Sequence, residues 1–324
     1  MRFAIIVVAA GITASGLAAS SAGTTTRASA ARIVFASVCH RETRTYSVLP
    51  DGSAVTAFPR STEKLTPLAI SGDGRTIAYR GGRDVVSGHY SDSVSGMLSV
   101  SRGDGSELHA VGQVGNRPAL SRDGSHLAFM KGNRLWVVGR DGGGARQVAS
   151  GVVRFDVSPD GKSVVFEAWA NELFVRRLDE ARRVALPILG THPKWSPDGR
   201  WIAYHEWVVP GRVGVMRPDG TGRRWLQEED AVEFAWAPDS KTLALLTAAK
   251  TDRGVVLLGA DGRERRRLGV EVEAVDVRWS PDRRLLALGG LGDVHVVGAT
   301  GRGLRTLTHG CWNTLVGWTP LAPS

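Results

Sequence analysis

The 324-residue chain is long enough to bury a large hydrophobic core, and its length alone suggests about two domains. Apolar residues make up 42% and charged residues 23% of the sequence, which excludes an intrinsically disordered chain. Two cysteines exclude a disulfide-dense miniprotein and a multi-cysteine zinc or iron–sulfur site. The net charge of +9 permits an acidic partner without requiring one.

Residues 1–30 have the composition of a secretory signal peptide. Arg2 precedes an apolar run from Phe3 to Leu17, and the small residues 20–22 and 28–30 follow as candidate cleavage sites. The run is too short for a confident membrane span. We predict an exported chain with a cleaved signal peptide, and an uncleaved anchor is the alternative. Contact with a membrane is expected to be peripheral at most.

One signature recurs six times along the rest of the chain. Each copy has an apolar run, a four-residue turn and a second apolar run with alternating polarity, as in KWSPDGRWIAY (194–204). In such a turn Pro presets φ, Asp bonds its own backbone and Gly takes the position with positive φ, where Ser240 and Arg283 stand in two copies. We interpret the aspartates as structural turn formers: Asp73, Asp123, Asp160, Asp198, Asp239 and Asp282.

A second turn follows each hairpin, for example at Asp141–Gly142 and Asp219–Gly220. The repeat therefore predicts four antiparallel strands, a to d, with the period of a β-propeller blade. The signature resembles the WD40-like PD40 repeat of TolB-like proteins and of prolyl-oligopeptidase-type peptidases. The resemblance covers about residues 32–320 and implies an all-β fold, with one propeller domain over residues 31–324.

The two ends of the chain are predicted to complete one blade. Residues 318–320 align with 195–197 as a strand a, and residues 32–37 align with 201–206 as a strand b. If Trp195 faces Ile202, the same register places Trp318 opposite Ile33. A composite closing blade leaves no unpaired sheet edge where the ring joins. Six internal blades and this one make a seven-bladed propeller, and a six-bladed ring is the alternative.

The same register brings the two cysteines together. Counted along the two closing strands, Cys39 and Cys311 fall within one residue of being opposite each other. We predict a Cys39–Cys311 disulfide that locks the ring, and two free thiols are the alternative.

Four tryptophans share the repeat position just before the turn. Because this position recurs with the fold, we interpret them as wedges between blades, not as ligand-stacking residues: Trp195, Trp236, Trp279 and Trp318.

Motifs for enzymatic chemistry are missing from the sequence. It contains no G-x-S-x-G nucleophile elbow, no H-E-x-x-H pair, no P-loop and no dinucleotide-binding fingerprint. We predict no cofactor and no metal, and the enzyme question stays open with the balance against an enzyme. The resemblance to TolB-like propellers implies a protein-interaction scaffold.

The loops opposite the turns vary from repeat to repeat, and variable loops on a rigid scaffold often carry function. They collect histidines and aromatic residues that we take as a candidate binding face: His89, Tyr90, Trp169, His192, His205, Trp207 and Trp312. The alternative is that these residues never converge. A metal site from His89, His192, His205 and His309 has no supporting spacing.

The arginine clusters at the outer strands, at 182–183, 223–224 and 263–267, are read first as protection against edge pairing. A surface for an anionic polymer, polysaccharide or lipid headgroup is the other reading, and nucleic acid is not expected. We predict a monomeric, exported, non-enzymatic propeller whose b–c and d–a loop face binds a protein or cell-envelope component. The alternative function is a carbohydrate-active lyase or hydrolase with a His, acid and Trp site at that face of the central channel.

Overall fold

The computed structural model is all-β, as the repeats predict. It describes residues 31–39, 42–57, 65–81, 96–207, 212–228, 231–247, 254–263, 265–289 and 292–319. Over these ranges the only helical structure is one 3₁₀ turn, Trp169–Asn171. No helix in this part of the chain is long and apolar enough to cross a membrane. The predicted signal peptide, residues 1–30, lies outside the described residues.

Twenty-six strands form antiparallel sheets in the described part of the chain, and sequence neighbours pair within each sheet. The closing sheet joins β26 (Trp312–Thr319), β1 (Arg32–Cys39), β2 (Glu42–Val48) and β3 (Thr56–Ala57). The next sheet contains β4 (Leu65–Ile70), β5 (Thr76–Gly81), β6 (Gly96–Arg102), β7 (His109–Leu120), β8 (His126–Lys131), β9 (Arg134–Gly139) and β10 (Arg146–Ser150).

A second seven-stranded sheet and two four-stranded sheets follow. The seven-stranded sheet contains β11 (Val152–Val157), β12 (Ser163–Ala168), β13 (Glu172–Arg177), β14 (Arg183–Trp195), β15 (Ile202–Glu206), β16 (Arg212–Met216) and β17 (Arg224–Glu228). The last two sheets are β18 (Ala231–Trp236), β19 (Thr242–Thr247), β20 (Gly254–Gly259) and β21 (Arg265–Leu268), then β22 (Asp276–Trp279), β23 (Leu285–Gly289), β24 (His295–Gly298) and β25 (Arg305–Thr306).

Each seven-stranded sheet contains one long strand that is shared by two hairpins. The first part of β7 pairs with β6, whereas its last part, at Ala119 and Leu120, pairs with β8. In the same way β14 pairs with β13 through its first part and with β15 through Lys194 and Trp195. Each long strand is therefore the fourth strand of one repeat and the first strand of the next.

The closing register is confirmed. Trp195 pairs with Ile202, and Trp318 pairs with Ile33 in the sheet that joins the two ends of the chain. A β-bulge between Val34 and Phe35 then shifts the register, so that Val38 lies opposite Trp312.

This bulge bears on the two cysteines. Cys39 follows Val38 and Cys311 precedes Trp312, so the shift removes the one-residue offset that the sequence leaves between them. Residues directly opposite in an antiparallel pair have Cα atoms at a separation that a disulfide can bridge. The side chain of Cys39 lies outside the described residues, and the disulfide stays a prediction.

The hydrophobic core is divided into clusters, several of which lie between neighbouring sheets. Ile33 and Phe35 of the closing sheet, for example, pack with Val296 and Ala287 of the preceding sheet. The second turn of one repeat packs on the outer strand of the repeat before it. At Gly220, where φ is +83°, an added Cβ would lie 2.7 Å from Pro187 Cδ, so only glycine fits this contact.

The first strand of every repeat lines one central cavity of about 600 Å³. Its wall is formed by residues of β4, β7, β11, β14, β18, β22 and β26 and reaches from the turn prolines to the level of His192. In most of these strands a bulge interrupts the pairing with the next strand, as between Thr191 and Lys194 in β14. Bulges re-aim side chains, and here they do so at the end of the strand far from the turn.

Candidate functional site

The repeated turn aspartates are occupied by their own turns. In the turn that starts at Ser196, the serine hydroxyl donates to Asp198 Oδ1 at 2.6 Å, and the same oxygen accepts from Arg200 N at 3.0 Å. The serine oxygen in turn accepts from Trp201 N at 2.9 Å. The same three bonds recur in the turns of Asp73, Asp123, Asp160 and Asp282, and Asp239 keeps the bond to the backbone two residues on. These carboxylates do not form a shared site.

The repeated tryptophans join neighbouring repeats. Three of the four indole N–H groups donate to a carbonyl on the first strand of the preceding repeat: Trp236 to Lys194, Trp279 to Ala235 and Trp318 to Arg278, at 3.2–3.3 Å. These bonds and the burial of Trp195, Trp236 and Trp318 agree with the wedge interpretation, and all four tryptophans also line the central cavity.

Three predicted tryptophans lie exposed at the loop face. The exposed fractions are 67% for Trp169, 56% for Trp207 and 48% for Trp312. Leu189, itself exposed, links the first two, because its carbonyl accepts from Trp207 N at 3.2 Å and it pairs with Glu172 at the end of the 3₁₀ turn. Trp312 lies on the closing sheet, apart from this pair. His89 and Tyr90 lie outside the described residues.

Two of the predicted histidines converge, but not as exposed loop residues. His192 lies in the bulge of β14 and lines the cavity, and His205 lies in β15 and is only 7% exposed. Their ring centroids are 5.5 Å apart. His309 faces Asp293 at 3.8 Å on the last sheet before closure. Within the described residues no group of three side chains is arranged to hold a metal.

The charged residues of the cavity were missed by the sequence analysis. In all seven repeats the residue two positions before the start of the turn lines the cavity. These residues are Ala69, Ala119, Asp156, Lys194, Ala235, Arg278 and Gly317. The residues four positions before the start of the turn are Pro67, Arg117, Arg154, His192, Glu233, Asp276 and Leu315. Aligning the repeats at these two positions would have found them, because charge at a strand position that faces the axis is unexpected.

Lys194 and Glu233 form the tightest ion pair of the cavity wall. Lys194 Nζ lies 2.6 Å from Glu233 Oε1 and donates to the Phe234 carbonyl at 2.9 Å. Burial disfavours the carboxylate, but Lys194 and Arg278 outweigh burial and lower the pKa of Glu233 to about 2. Glu233 is therefore ionised at neutral pH, and its contact with Lys194 joins two repeats.

Asp156 and Arg278 are two further charged residues that line the cavity. Asp156 accepts from the backbone N–H groups of Val157 and Trp195 at 2.9 and 2.8 Å, and Arg278 contacts Asp276 at 3.1 Å. Burial raises the pKa of both aspartates above its usual range.

Glu167 supports the bulge that carries His192. Its carboxylate is 2% exposed, lies 3.6 Å from Arg154 and accepts from His192 N at 3.2 Å. His192 adopts a φ of +53°, which is unusual for a residue with a side chain. Burial is the main cause that lowers the pKa of both His192 and His205 to about 4, and nearby cations lower it further. Both imidazoles are therefore neutral at pH 7.

The fold resembles solved β-propellers. It matches an oligogalacturonate lyase in complex with manganese with a TM-score of 0.60 and 14% identity, covering 86% of this chain and 84% of that one. It matches TolB from Acinetobacter baumannii with a TM-score of 0.51 and 15% identity, covering 90% and 67%. A chain of a nidogen/laminin complex matches with a TM-score of 0.51 and 14% identity, covering 89% and 97%.

These likenesses establish the fold as a β-propeller and nothing further, because every identity is low. No protein-family profile and no curated protein sequence matches the chain. Membership in the PD40 repeat family therefore stays a prediction.

Proposed function

We propose that this protein is an exported, non-enzymatic seven-bladed β-propeller that binds a protein of the cell envelope through its b–c and d–a loop face. The observation that carries the proposal is the exposure of Trp169 and Trp207, which lie on backbone segments that both adjoin exposed Leu189. Large aromatic side chains supply most of the binding energy in protein interfaces, and exposed apolar patches commonly mark such sites.

The shared strands support the count of seven blades. If β7 and β14 each belong to two blades, the five sheets divide into seven units of four strands. The first strands of all seven line the same cavity, as blades around one axis do. A six-bladed ring would account for only six of these seven units.

The exported location rests on two sequence features. Residues 1–30 have the pattern of a signal peptide, and the register of the closing sheet suits a Cys39–Cys311 disulfide, which an oxidising compartment favours. Sequencing the N-terminus of the protein from culture medium or envelope extracts tests this. An intact Met1 on soluble protein in the cytoplasm would contradict it.

The binding surface is tested with a double variant, Trp169→Ala with Trp207→Ala. Purified wild type is used to capture partners from envelope extracts, and each captured protein is then purified and titrated against both forms. We expect the double variant to bind at least about tenfold more weakly, since each tryptophan is a candidate hot spot. Leu304→Ala, which trims an exposed apolar residue elsewhere, is the matched control. Equal affinity for all three proteins would overturn the proposal.

A carbohydrate-active enzyme is the second candidate. The observation in its favour is that His192, His205 and Glu167 lie together beside the cavity, where neutral imidazoles could take part in proton transfer. Incubation with oligogalacturonate and other polysaccharides, followed by assay of unsaturated products and of reducing ends, tests it. Turnover that is lost in His192→Ala would favour the enzyme over the binding protein.

A further inference from the structure

The central cavity is lined by far more positive than negative side chains. Five basic residues contribute to its wall: Arg117, Arg122, Arg154, Lys194 and Arg278. Asp156 is the one carboxylate among the lining residues, and both of its oxygens already accept backbone N–H groups. An anion in the cavity would therefore meet a surplus of donors and little repulsion.

The acids that balance this charge lie behind the wall and hold the cations in place. Glu233 contacts Lys194, Glu167 contacts Arg154 and Asp276 contacts Arg278, yet none of the three acids lines the cavity. Each contact to an arginine involves one terminal nitrogen, and a guanidinium has five N–H donors. Arg154 and Arg278 are also partly exposed, so donors are available for a ligand.

The opposite side of the same cavity is mainly apolar, with Arg117 and Arg122 as its basic residues. It is formed by residues of β4, β7 and β26, among them Leu68, Ile70, Pro118 and Val316, with Gly317 between them. The wall thus combines an apolar surface with basic side chains, three of which, Arg154, Lys194 and Arg278, lie on β11, β14 and β22. A ligand that satisfies both must carry an anionic group on a compact apolar body.

We infer that the central cavity is a binding site for a small organic anion, a carboxylate or a phosphate, with an apolar body. The volume of about 600 Å³ is that of a small-molecule site. Arg154, Lys194 and Arg278 are held in advance by the acids behind the wall, so binding requires little reorganisation of these three side chains, and charge-assisted hydrogen bonds are among the strongest in proteins. This site is separate from the loop patch of Trp169, Leu189 and Trp207, none of which lines the cavity.

The first experiment uses 1-anilinonaphthalene-8-sulfonate, an apolar fluorophore with one anionic group, titrated into the folded full-length protein. Phenylacetate and phenyl phosphate then compete with the dye, which distinguishes a carboxylate from a phosphate ligand. We expect saturable binding that weakens as salt is added, because the cations are partly solvated. Displacement by one competitor and not the other assigns the anionic group.

Two variants separate cavity binding from adsorption to the surface. Leu68→Glu adds a negative charge to the wall without touching an ion pair, and Leu68→Gln is its neutral match. We expect Leu68→Glu to weaken dye binding at least about tenfold relative to Leu68→Gln, and Arg278→Gln to weaken it similarly. Arg302→Gln, outside the cavity, serves as the surface control. Because Leu68→Glu keeps all the native ion pairs, it remains informative even if Arg278→Gln lowers stability.

Dye binding that is the same in wild type, Leu68→Glu and Arg278→Gln would overturn the inference. The double variant Trp169→Ala with Trp207→Ala is titrated in parallel. If it binds the dye like wild type but loses the protein partner, the cavity and the loop patch are two sites. Loss of dye binding in that variant alone would place the anion at the loop face and would also contradict the inference.

Discussion

The two ends of the cavity-lining strands differ in how their polar residues are used. At the turn end, the same serine and aspartate recur in nearly every repeat and bond mainly within their own turn, and Asp239 also contacts Arg283 of the next repeat. At the other end, the same strand positions hold Arg154, His192 or Glu233, with bulges and partners on neighbouring strands. The comparison teaches that polar residues repeated along the chain serve the fold, whereas those that change at a fixed position serve something specific.

We expect the largest effect on stability from the disulfide, because it would join β1 and β26 of the closing sheet at the end far from the turn. Reducing a Cys39–Cys311 bond should lower the free energy of unfolding by about 5–6 kcal/mol in the chain-entropy model. Thermal melts of wild type with and without dithiothreitol measure it. The Cys311→Ser variant should have the melting temperature of the reduced wild type, with or without reductant. Two free thiols in denatured, unreduced protein would refute the prediction.

Removing a carboxylate should cost more at the far end than at the turn end. Glu233→Gln leaves Lys194 without its ion-pair partner and should cost about 3 kcal/mol. Asp198→Asn loses one charge in an exposed turn and should cost about 1 kcal/mol. Urea unfolding measures both, and adding Lys194→Met to Glu233→Gln should restore part of the loss. Equal losses of unfolding free energy in Glu233→Gln and Asp198→Asn would contradict this prediction.

Acid should weaken the far end through the histidine pair. The folded pKa of His205 is about 4 and the unfolded value is about 6.5, so the unfolded chain binds more protons between these values. The free energy of unfolding therefore falls as the pH drops from about 6.5 towards 4, by about 2 kcal/mol for this residue at pH 4.5.

The measurement is the difference in melting temperature between pH 7 and pH 4.5 for wild type and His205→Phe. The phenyl ring suits a site beside Phe234 and cannot be protonated, so the variant should lose less stability in acid. Comparing variants is necessary because the raised pKa of Asp156, Glu167 and Asp276 opposes the histidines. Leu304→Ala, which changes an exposed residue without a titratable group, should keep the wild-type difference. An unchanged difference in His205→Phe would contradict the assignment.

The smallest effects are expected within the turns themselves. Gly199 has a φ of +73° and Arg283 holds the equivalent position at +64°. Gly199→Ala should cost about 1 kcal/mol, whereas Arg283→Gly should gain about 0.5 kcal/mol after losing its exposed contact with Asp239. Chemical denaturation resolves the two signs. Destabilisation by Arg283→Gly would mean that its ion pair outweighs the backbone strain.

Much of the fold could be predicted because it depends on local chemistry. Serine and aspartate define each turn, alternating apolar residues define the strands, and one hairpin register carried over to Trp318 and Ile33 is correct. The loop face was predicted less well. Trp169 and Trp207 are exposed as expected, but His205 is buried in a strand, because the strand continues beyond the point where the repeat pattern ends.

The cavity site was missed for a reason that the bulges explain. Lys194 and Glu233 are about 40 positions apart in the chain, and each looks like an ordinary charge on a half-exposed strand. A bulge changes which side of the strand a residue faces, and alternation alone cannot locate it. The ion pair forms only when two neighbouring repeats are packed against each other.

The sequence by itself determined the strands, their turns and the pairing of the two chain ends, since each depends on residues close together or on a register copied from one repeat to another. The tertiary structure decided that Arg154, Lys194 and Arg278 surround one cavity, that their acids stand behind them, and that His192 and His205 touch. Burial and charge pairing depend on distances between strands, and those distances exist only after the repeats have packed together.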